Sequence, residues 1–271
     1  MALVSSKDVK EQFKAKGKQQ EKLNRILVMA DAAHSIGAQS QGVPVGRLAD
    51  ITVFSLHSVK NITTGEGGAI CLNLPEVFNH AVEYKFLKAL SLNGQNKSAF
   101  EKNQPGAWKY DIIDQGLKVN MPDICASVGL AQIKKYKTEL LPERKAIFKH
   151  YDTFFNKFDW GNIPLSIDES KESSYHLYLL RINGITEVQR DEMIHYISTN
   201  GVGVNVHYIP MPMLTLFKNL GYKMEDYPNT YELYSNEISL PVYNNLSENQ
   251  LKTVCQLVEE AYIKVVMNCN V

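Results

Sequence analysis

The sequence predicts an α/β fold in its first half, followed by a smaller α+β part. Three short apolar segments, at residues 26–29, 49–56 and 68–72, are typical of strands in the interior of a sheet. A turn rich in threonine and glycine, at residues 63–68, separates the second strand from the third. Short buried strands that alternate with helices and glycine turns are the pattern of an α/β sheet.

The rest of the first half is predicted to be helical or irregular. Ile124, Val128 and Ile133 recur at the spacing of a helix face, and Gly94, Pro105 and Gly106 interrupt the segment before them. The predicted elements are a polar surface helix at 5–25, a helix at 75–92, a loop at 93–109 and a helix at 122–136.

The second half has a different order of elements. It begins with a helix and ends with a long one, and strands lie between them. The predicted elements are a helix at 141–158, an alternating strand at 175–182, a helix at 186–199, a strand at 204–208 and a helix at 247–266. This change of order predicts two domains, at residues 1–135 and 136–271.

Composition excludes several classes of protein. Lys plus Arg and Asp plus Glu both number 29 in 271 residues, so the basic excess that nucleic-acid binding requires is missing. No apolar run approaches the roughly 20 residues of a membrane span, and no secretory signal is expected. The four cysteines have no metal-type spacing, which predicts reduced thiols, no metal site and a cytoplasmic protein.

Three chemically active side chains follow predicted strands of the first half. Asp31 comes directly after an apolar run, Ser55 lies at the end of the second strand, and Lys60 follows that strand. Open α/β sheets bind ligands at the carboxyl ends of their strands. A lysine amine, a carboxylate and a hydroxyl are what pyridoxal phosphate needs for covalent attachment, ring protonation and phosphate binding. Taken singly, Lys60 is also consistent with a surface lysine and Asp31 with a turn residue.

Longer motifs resemble the DegT/DnrJ/StrS family of nucleotide-sugar aminotransferases. They run in the family's order and cover nearly everything after residue 25. The motifs are VMADAAHSIG (28–37), SLHSVKNITTGEGG (55–68), KVNMPD (118–123), SSYHLYLLRI (173–182), GVGVNVHYIPMP (201–212) and YSNEISLP (234–241). The resemblance implies a fold type I pyridoxal-phosphate transferase, with a cofactor-binding large domain at 1–135 and a small domain at 136–271.

The resemblance also implies roles for individual residues toward pyridoxal phosphate. Lys60 would hold the cofactor as a Schiff base and transfer protons, and Asp31 would pair with its pyridinium nitrogen. His34 would lie beside the phenolic oxygen, and Ser55 would bind the phosphate. Asn120 matches an asparagine that reaches the phosphate of a neighbouring subunit's cofactor. A homodimer with shared active sites is therefore expected.

On the substrate side, His176, Tyr178, His207 and Tyr208 match segments that lie near the sugar in the family. Aromatic residues alternating on a strand are also typical of a core, and that alternative stays open. The family implies transfer of an amino group from an amino acid, expected to be glutamate, to a keto group of a nucleotide-linked sugar for polysaccharide or glycan precursors. Some relatives carry histidine in place of the lysine and deoxygenate the sugar, so Lys60 favours transamination.

One part of the family pattern is missing from the start of the sequence. Relatives normally carry an N-terminal stretch with a Gly-Thr or Gly-Ser phosphate turn and an aromatic residue that stacks on the cofactor ring. Residues 1–25 have no such turn, and Phe13 is their only aromatic residue. Three explanations stay open: a shortened chain, a piece supplied by another chain, or loss of cofactor binding. The alternative function is a non-catalytic remnant that keeps dimerisation or sugar-nucleotide binding.

Overall fold

The chain forms two compact units, Met1–Lys134 and Lys135–Val271, in a computed structural model that describes residues 2–267. Both units contain helices and short strands. Within these residues, no helix is both long enough and apolar enough to cross a membrane. Cys71, Cys125 and Cys255 are free thiols, and Cys269 lies outside the described residues.

In the described part of the first unit, three short helices come first, the strands follow, and three further helices come last. Its helices are α1 (Ala2–Ser5), α2 (Lys7–Gln12), α3 (Lys18–Leu23), α4 (His80–Leu90), α5 (Ala99–Lys102) and α6 (Asp123–Lys135). Its strands are β1 (Met29–Asp31), β2 (Gln39–Ser40), β3 (Val43–Pro44), β4 (Ile51–Ser55) and β5 (Gly68–Leu72).

The central sheet of the first unit has the order β1-β4-β5. Strand β1 runs parallel to β4 and begins with Met29 opposite Ile51, whereas β5 is antiparallel to β4. Thr52 and Phe54 are the buried residues of β4, so one face of the middle strand packs inward. The predicted strands at 49–56 and 68–72 are confirmed, as are the helices at 75–92 and 122–136, with shorter bounds.

Two predictions for the start of the chain are wrong. The strand predicted at 26–29 is found at Met29–Asp31, and it is not buried on both faces, because Met29 is 60% exposed. Among the described residues, β4 is the only strand that pairs with β1 in this sheet, so β1 lies at an edge. The polar helix predicted at 5–25 is divided into α2 and α3, because the backbone is extended at Phe13 and at Gly17, a residue with low helix propensity.

A buried ion pair lies where β1 and β4 begin. Arg25 donates two hydrogen bonds to Asp50, from Nη1 to Oδ2 at 2.7 Å and from Nη2 to Oδ1 at 2.6 Å. The backbone N–H of Val28 also donates to Asp50 Oδ2, at 2.9 Å. The Asp50 side chain is fully buried. Because Val28 precedes β1 and Asp50 precedes β4, these bonds fix the two strands in register.

The second unit has longer helices. It contains α7 (Leu141–Phe155), α8 (Glu187–Thr199), α9 (Thr215–Asn219), α10 (Pro228–Ser235) and α11 (Glu248–Tyr262), with π-helical turns at Tyr136–Leu140 and Ile263–Met267. Its strands are β6 (Gly161–Asn162), β7 (Lys171–Glu172), β8 (Tyr178–Ile182) and β9 (Glu237–Leu240).

An antiparallel sheet in the order β6-β8-β9 carries the core of the second unit. Tyr178, Leu180 and Ile182 alternate along β8 and are fully buried against α7, α8 and α11. The strand predicted at 204–208 is wrong, because there only Asn205 makes a bridge, to Ser239 of β9. Strand β9 pairs with β8 on the side opposite to β6, and no element was predicted at Glu237–Leu240.

We expect Asp50→Ala to lower the free energy of unfolding by about 3–5 kcal/mol, because it leaves Arg25 as an uncompensated buried charge. The hydrogen bond from Arg25 lowers the pKa of Asp50. The stabilisation is therefore present above the unfolded-state pKa of about 3.9, and it is lost as the pH falls through the lower folded pKa. Urea unfolding followed by circular dichroism measures both effects. Glu248→Gln, which removes an exposed pair with Lys252, is the control and should change little.

Candidate active site

The carboxyl ends of β1 and β4 bring Asp31 and Ser55 to one edge of the sheet. The two strands are parallel, and the N–H of Ala32 donates to the carbonyl of Val53 at 2.8 Å, which extends the pairing past the end of β1. Asp31 Oδ1 accepts a hydrogen bond from the N–H of Ala33 at 3.0 Å, which leaves the exposed carboxylate attached to the following turn. This is the edge at which open α/β sheets bind ligands.

Lys60 lies in a closed loop between β4 and β5, which we call the lysine loop (residues 56–67). The N–H of Leu56 donates to Gly67 O at 2.8 Å, and the N–H of Thr64 donates to Leu56 O at 2.9 Å. Within the loop, the Lys60 N–H donates to His57 O at 3.0 Å. These bonds fix the backbone around Lys60, and the residue itself is half-buried.

Gly67 is required where the lysine loop closes. Its φ is +153°, and a Cβ there would lie 2.4 Å from Thr64 Oγ1 and 2.7 Å from Met121 Cε. The Thr64 hydroxyl fills this space and donates to Glu66 O at 2.8 Å. The glycine-rich turn thus lets the chain fold back onto the end of β4.

A side chain that the sequence analysis did not single out holds the lysine loop to α6. Gln132 Nε2 donates to Thr63 O at 2.8 Å, and Gln132 Oε1 accepts from the Thr63 N–H at 3.1 Å. This paired contact joins residues far apart in sequence, and no local pattern marks it.

The charges of Lys60 and Asp31 both change the pKa of His34. Burial is the largest cause of a lowered pKa at His34, the positive charge of Lys60 lowers it further, and Asp31 opposes them. His34 is thus electrostatically coupled to the two residues that carry the predicted chemistry. A half-buried imidazole with a lowered pKa is neutral at pH 7.

Two further predicted residues of the first unit differ in their surroundings. Ser55 is half-buried and its Oγ accepts from the His57 N–H at 3.3 Å, which leaves its own hydrogen available as a donor. Asn120 is exposed and accepts from Lys118 Nζ at 2.7 Å. The amine, carboxylate, imidazole and hydroxyl at the sheet edge together fit the donor set that pyridoxal phosphate requires.

The four predicted substrate residues belong to the second unit. Tyr178 is fully buried and its hydroxyl donates to Asp152 Oδ1 at 2.8 Å, which favours the core alternative for this residue. His176 is also buried, and its carbonyl accepts from Arg144 Nη2 at 2.9 Å. His207 is half-buried, whereas Tyr208 is exposed. A role of these residues in substrate binding stays a prediction.

We expect the titration midpoint of His34 to lie below the ordinary value of about 6.5. Lys60→Gln should raise it, because a positive charge is removed, and Asp31→Asn should lower it, because a negative charge is removed. Proton NMR of the imidazole Cε1–H over a pH series measures the midpoint, and the spectrum of His34→Gln assigns the signal. Shifts of the same sign in both variants would contradict the coupling.

The sequence matches one aminotransferase family and several curated relatives. A match to the DegT/DnrJ/EryC1/StrS aminotransferase family covers residues 18–259. An uncharacterized protein of Methanocaldococcus jannaschii is 34% identical over 87% of this chain, and the spore coat polysaccharide biosynthesis protein SpsC of Bacillus subtilis is 31% identical over 87%. A UDP-4-amino-4,6-dideoxy-N-acetyl-beta-L-altrosamine transaminase of Campylobacter jejuni is 30% identical over 84%. The chain spans 60%, 59% and 57% of these three relatives.

Solved structures share the fold. Spr1654 of Streptococcus pneumoniae, a proposed sugar aminotransferase in its PMP form, is 39% identical with a TM-score of 0.87, over 95% of this chain and 64% of its own. PseC of Helicobacter pylori, at 24% identity over 88% of this chain and 60% of its own, has the same fold with a TM-score of 0.73. The predicted α/β, fold type I class is confirmed. With a family match over residues 18–259, the chain belongs to the DegT/DnrJ/EryC1/StrS aminotransferase family.

Proposed function

We propose that this chain is part of a pyridoxal-phosphate-dependent aminotransferase that acts on a nucleotide-linked sugar. In this proposal the chain supplies the lysine that binds the cofactor. One observation carries the proposal: the carboxyl ends of β1 and β4 meet at one sheet edge, where His34 is subject to the charges of both Lys60 and Asp31. Structures of Spr1654 in PLP and PMP forms support this cofactor. In this proposal the first unit is the cofactor domain and the second is the small domain.

The residues of the sheet edge have distinct tasks in the proposed reaction. When bound, pyridoxal phosphate supplies an electron-accepting ring that stabilises negative charge at the carbon bearing the amino group. Lys60 Nζ attaches the cofactor and, once released, moves a proton to or from the reacting carbon. Asp31 keeps the ring nitrogen protonated, neutral His34 offers a hydrogen bond to the phenolic oxygen, and the Ser55 hydroxyl donates to the phosphate.

The names of two relatives support a choice of substrates. The Campylobacter jejuni transaminase and an aminotransferase of Shewanella sediminis both have UDP-linked 4-amino sugars in their names, and the second also has oxoglutarate. We therefore propose a keto group on a nucleotide-linked hexose as acceptor and glutamate as donor. The name of SpsC supports a place in polysaccharide precursor synthesis. We place the reaction in the cytoplasm, which accords with the free thiols of Cys71, Cys125 and Cys255.

We expect the purified chain to bind pyridoxal phosphate covalently at Lys60. Reduction with borohydride followed by peptide mass spectrometry should place the added mass on Lys60, and addition of glutamate should release 2-oxoglutarate. Lys60→Ala should lose the adduct and reduce 2-oxoglutarate release at least about a hundredfold, since a positioned proton-transfer group contributes about 10²–10⁴-fold.

The matched control is Lys88→Ala, which removes an exposed lysine of α4. It should leave both the adduct and the turnover unchanged. A wild-type chain that folds but takes up no cofactor would favour the alternative of a non-catalytic remnant. An adduct that persists in Lys60→Ala would overturn the assignment of this residue.

We also propose a homodimer with shared active sites. Asn120 follows a stretch whose large apolar side chains are exposed in the single chain, and such a stretch is typical of an interface. The exposed residues are Trp108, Tyr110, Ile112, Ile113, Leu117 and Val119. Sedimentation velocity should give twice the 30.6 kDa mass of one chain. Leu117→Asp should shift the population to monomers, whereas Leu165→Asp, at an exposed position of the second unit, should not.

A further inference from the structure

The lysine loop is far longer than an ordinary connection between paired strands. Strands β4 and β5 are antiparallel and their pairing ends with Ser55 opposite Gly68, whereas most hairpins turn within about two to five residues. The backbone bonds between Leu56, Thr64 and Gly67 close only the mouth of the loop. A loop of this length needs contacts with another element if it is to keep one conformation.

Helix α6 holds the returning half of the loop through the side-chain amide of Gln132. This amide bonds with both backbone groups of Thr63, donating to its carbonyl at 2.8 Å and accepting from its N–H at 3.1 Å. Gln132 Nε2 also donates to Val128 O at 3.0 Å, which fixes the amide on its own helix. Thr63 passes the contact on, because its Oγ1 accepts from the Gly65 N–H at 2.9 Å. Gln132 therefore binds the loop as a neighbouring strand would, with a donor and an acceptor side by side.

Gly129 allows α6 to approach the loop this closely. It is buried in the middle of the helix, whereas most residues of α6 are exposed. A Cβ at Gly129 would lie 2.7 Å from Thr64 Cγ2, so a side chain would push the helix and the loop apart. Gly129 and Gln132 are three residues apart and share one helix face. Glycine inside a helix is less stable than alanine, and the contact with Thr64 is a physical reason for its presence.

The segment between Lys60 and this contact is short and buried. Asn61 is 5% exposed and Ile62 is 1% exposed, so neither residue can move outward without breaking its packing. On the other side, the Lys60 N–H donates to His57 O at 3.0 Å. The backbone of Lys60 is thus held between His57 and Thr63, and a displacement of Thr63 would be transmitted to it.

We propose that Gln132 and Gly129 are positioning residues for Lys60. By holding Thr63 and Thr64 to α6, they keep the lysine backbone where its amine serves the reacting carbon. The inference rests on the proposed function, in which Lys60 carries the cofactor and transfers the proton. Both residues act through the lysine loop and not on the substrate. A displacement of about 1 Å at a reacting group can lower a rate about a hundredfold, so a loosened loop should affect the chemical step.

Hydrogen exchange of single backbone amides, measured by NMR on the chain without cofactor, tests the positioning. Gln132→Met keeps the side-chain length and removes its hydrogen bonds, whereas Gly129→Ala keeps those bonds and places a methyl group against Thr64. Each variant should speed exchange at the N–H groups of Lys60 and Thr64 about tenfold. These groups bond to carbonyls of the loop and not to α6, so a purely local contact of Gln132 would leave them unchanged. The amides of β4 should keep their rates.

Unchanged exchange at Lys60 and Thr64 in either folded variant overturns the inference for the residue that was replaced. If Gln132→Met does not fold, Gly129→Ala decides the matter, since alanine favours the helix itself. Two matched controls should behave as the wild type. Gln256→Met replaces an exposed glutamine of α11, and Ser127→Ala favours the helix at an exposed position of α6.

A single turnover separates this inference from the proposed function. With saturating pyridoxal phosphate, Gln132→Met and Gly129→Ala should each lower the rate constant for 2-oxoglutarate release from glutamate about tenfold or more. The glutamate concentration that gives half the maximal rate should stay within about twofold, because the loop positions the proton-transfer group and not the amino acid. An unchanged rate constant in both variants, beside an active wild type, overturns the inference alone. A folded wild type that releases no 2-oxoglutarate overturns the proposed function, and the role toward the amine with it, even where exchange is as expected.

Discussion

The buried carboxylate of Asp50 is the constraint on which the first unit depends. It occupies the position just before β4 and binds both Arg25 and the N–H of Val28, which precedes β1. The backbone N–H of Asp50 donates in turn to Val28 O at 3.1 Å, so the two strand starts are held at the same level. A shift of one residue between parallel strands would turn Asp31 to the other face of the sheet. The position of Asp31 relative to Ser55 therefore depends on the contacts of Asp50 at the opposite ends of β1 and β4.

The lysine loop depends on that sheet in a different way. Residues on both sides of it, Ser55 and Gly68, are paired across β4 and β5, and the backbone bonds of Leu56 continue the ladder into the loop. Gly67 allows the close approach that a side chain would block, and Gln132 joins the far side of the loop to α6. Lys60 is therefore held by backbone bonds on a rigid frame, while its own side chain is free to exchange partners during a reaction.

Much of this arrangement could be predicted from the sequence, because local patterns determine it. Strand β4 shows as an apolar run, its end locates Ser55 and Lys60, and the glycines mark the return turn. The contacts of Gln132 and of Asp50 could not be predicted, because they join distant parts of the chain and require polar residues that also suit a surface. The strand predicted at 26–29 was misplaced because β1 lies at the edge of the sheet. An apolar run in the sequence does not reveal whether a strand has one neighbouring strand or two.

The two sheets differ in how far apart their paired residues lie along the chain. In the first unit, β1, β4 and β5 all lie within residues 29–72, whereas Tyr178 of β8 pairs with Leu240 of β9, which is 62 residues further along the chain. Closing a longer loop costs more chain entropy, and proteins with distant contacts fold more slowly. We expect the edge that carries Asp31, Ser55 and Lys60 to form early, in a short stretch of nascent chain. Strands β8 and β9 can pair only after Leu240 has been made, well after the edge that carries Asp31, Ser55 and Lys60.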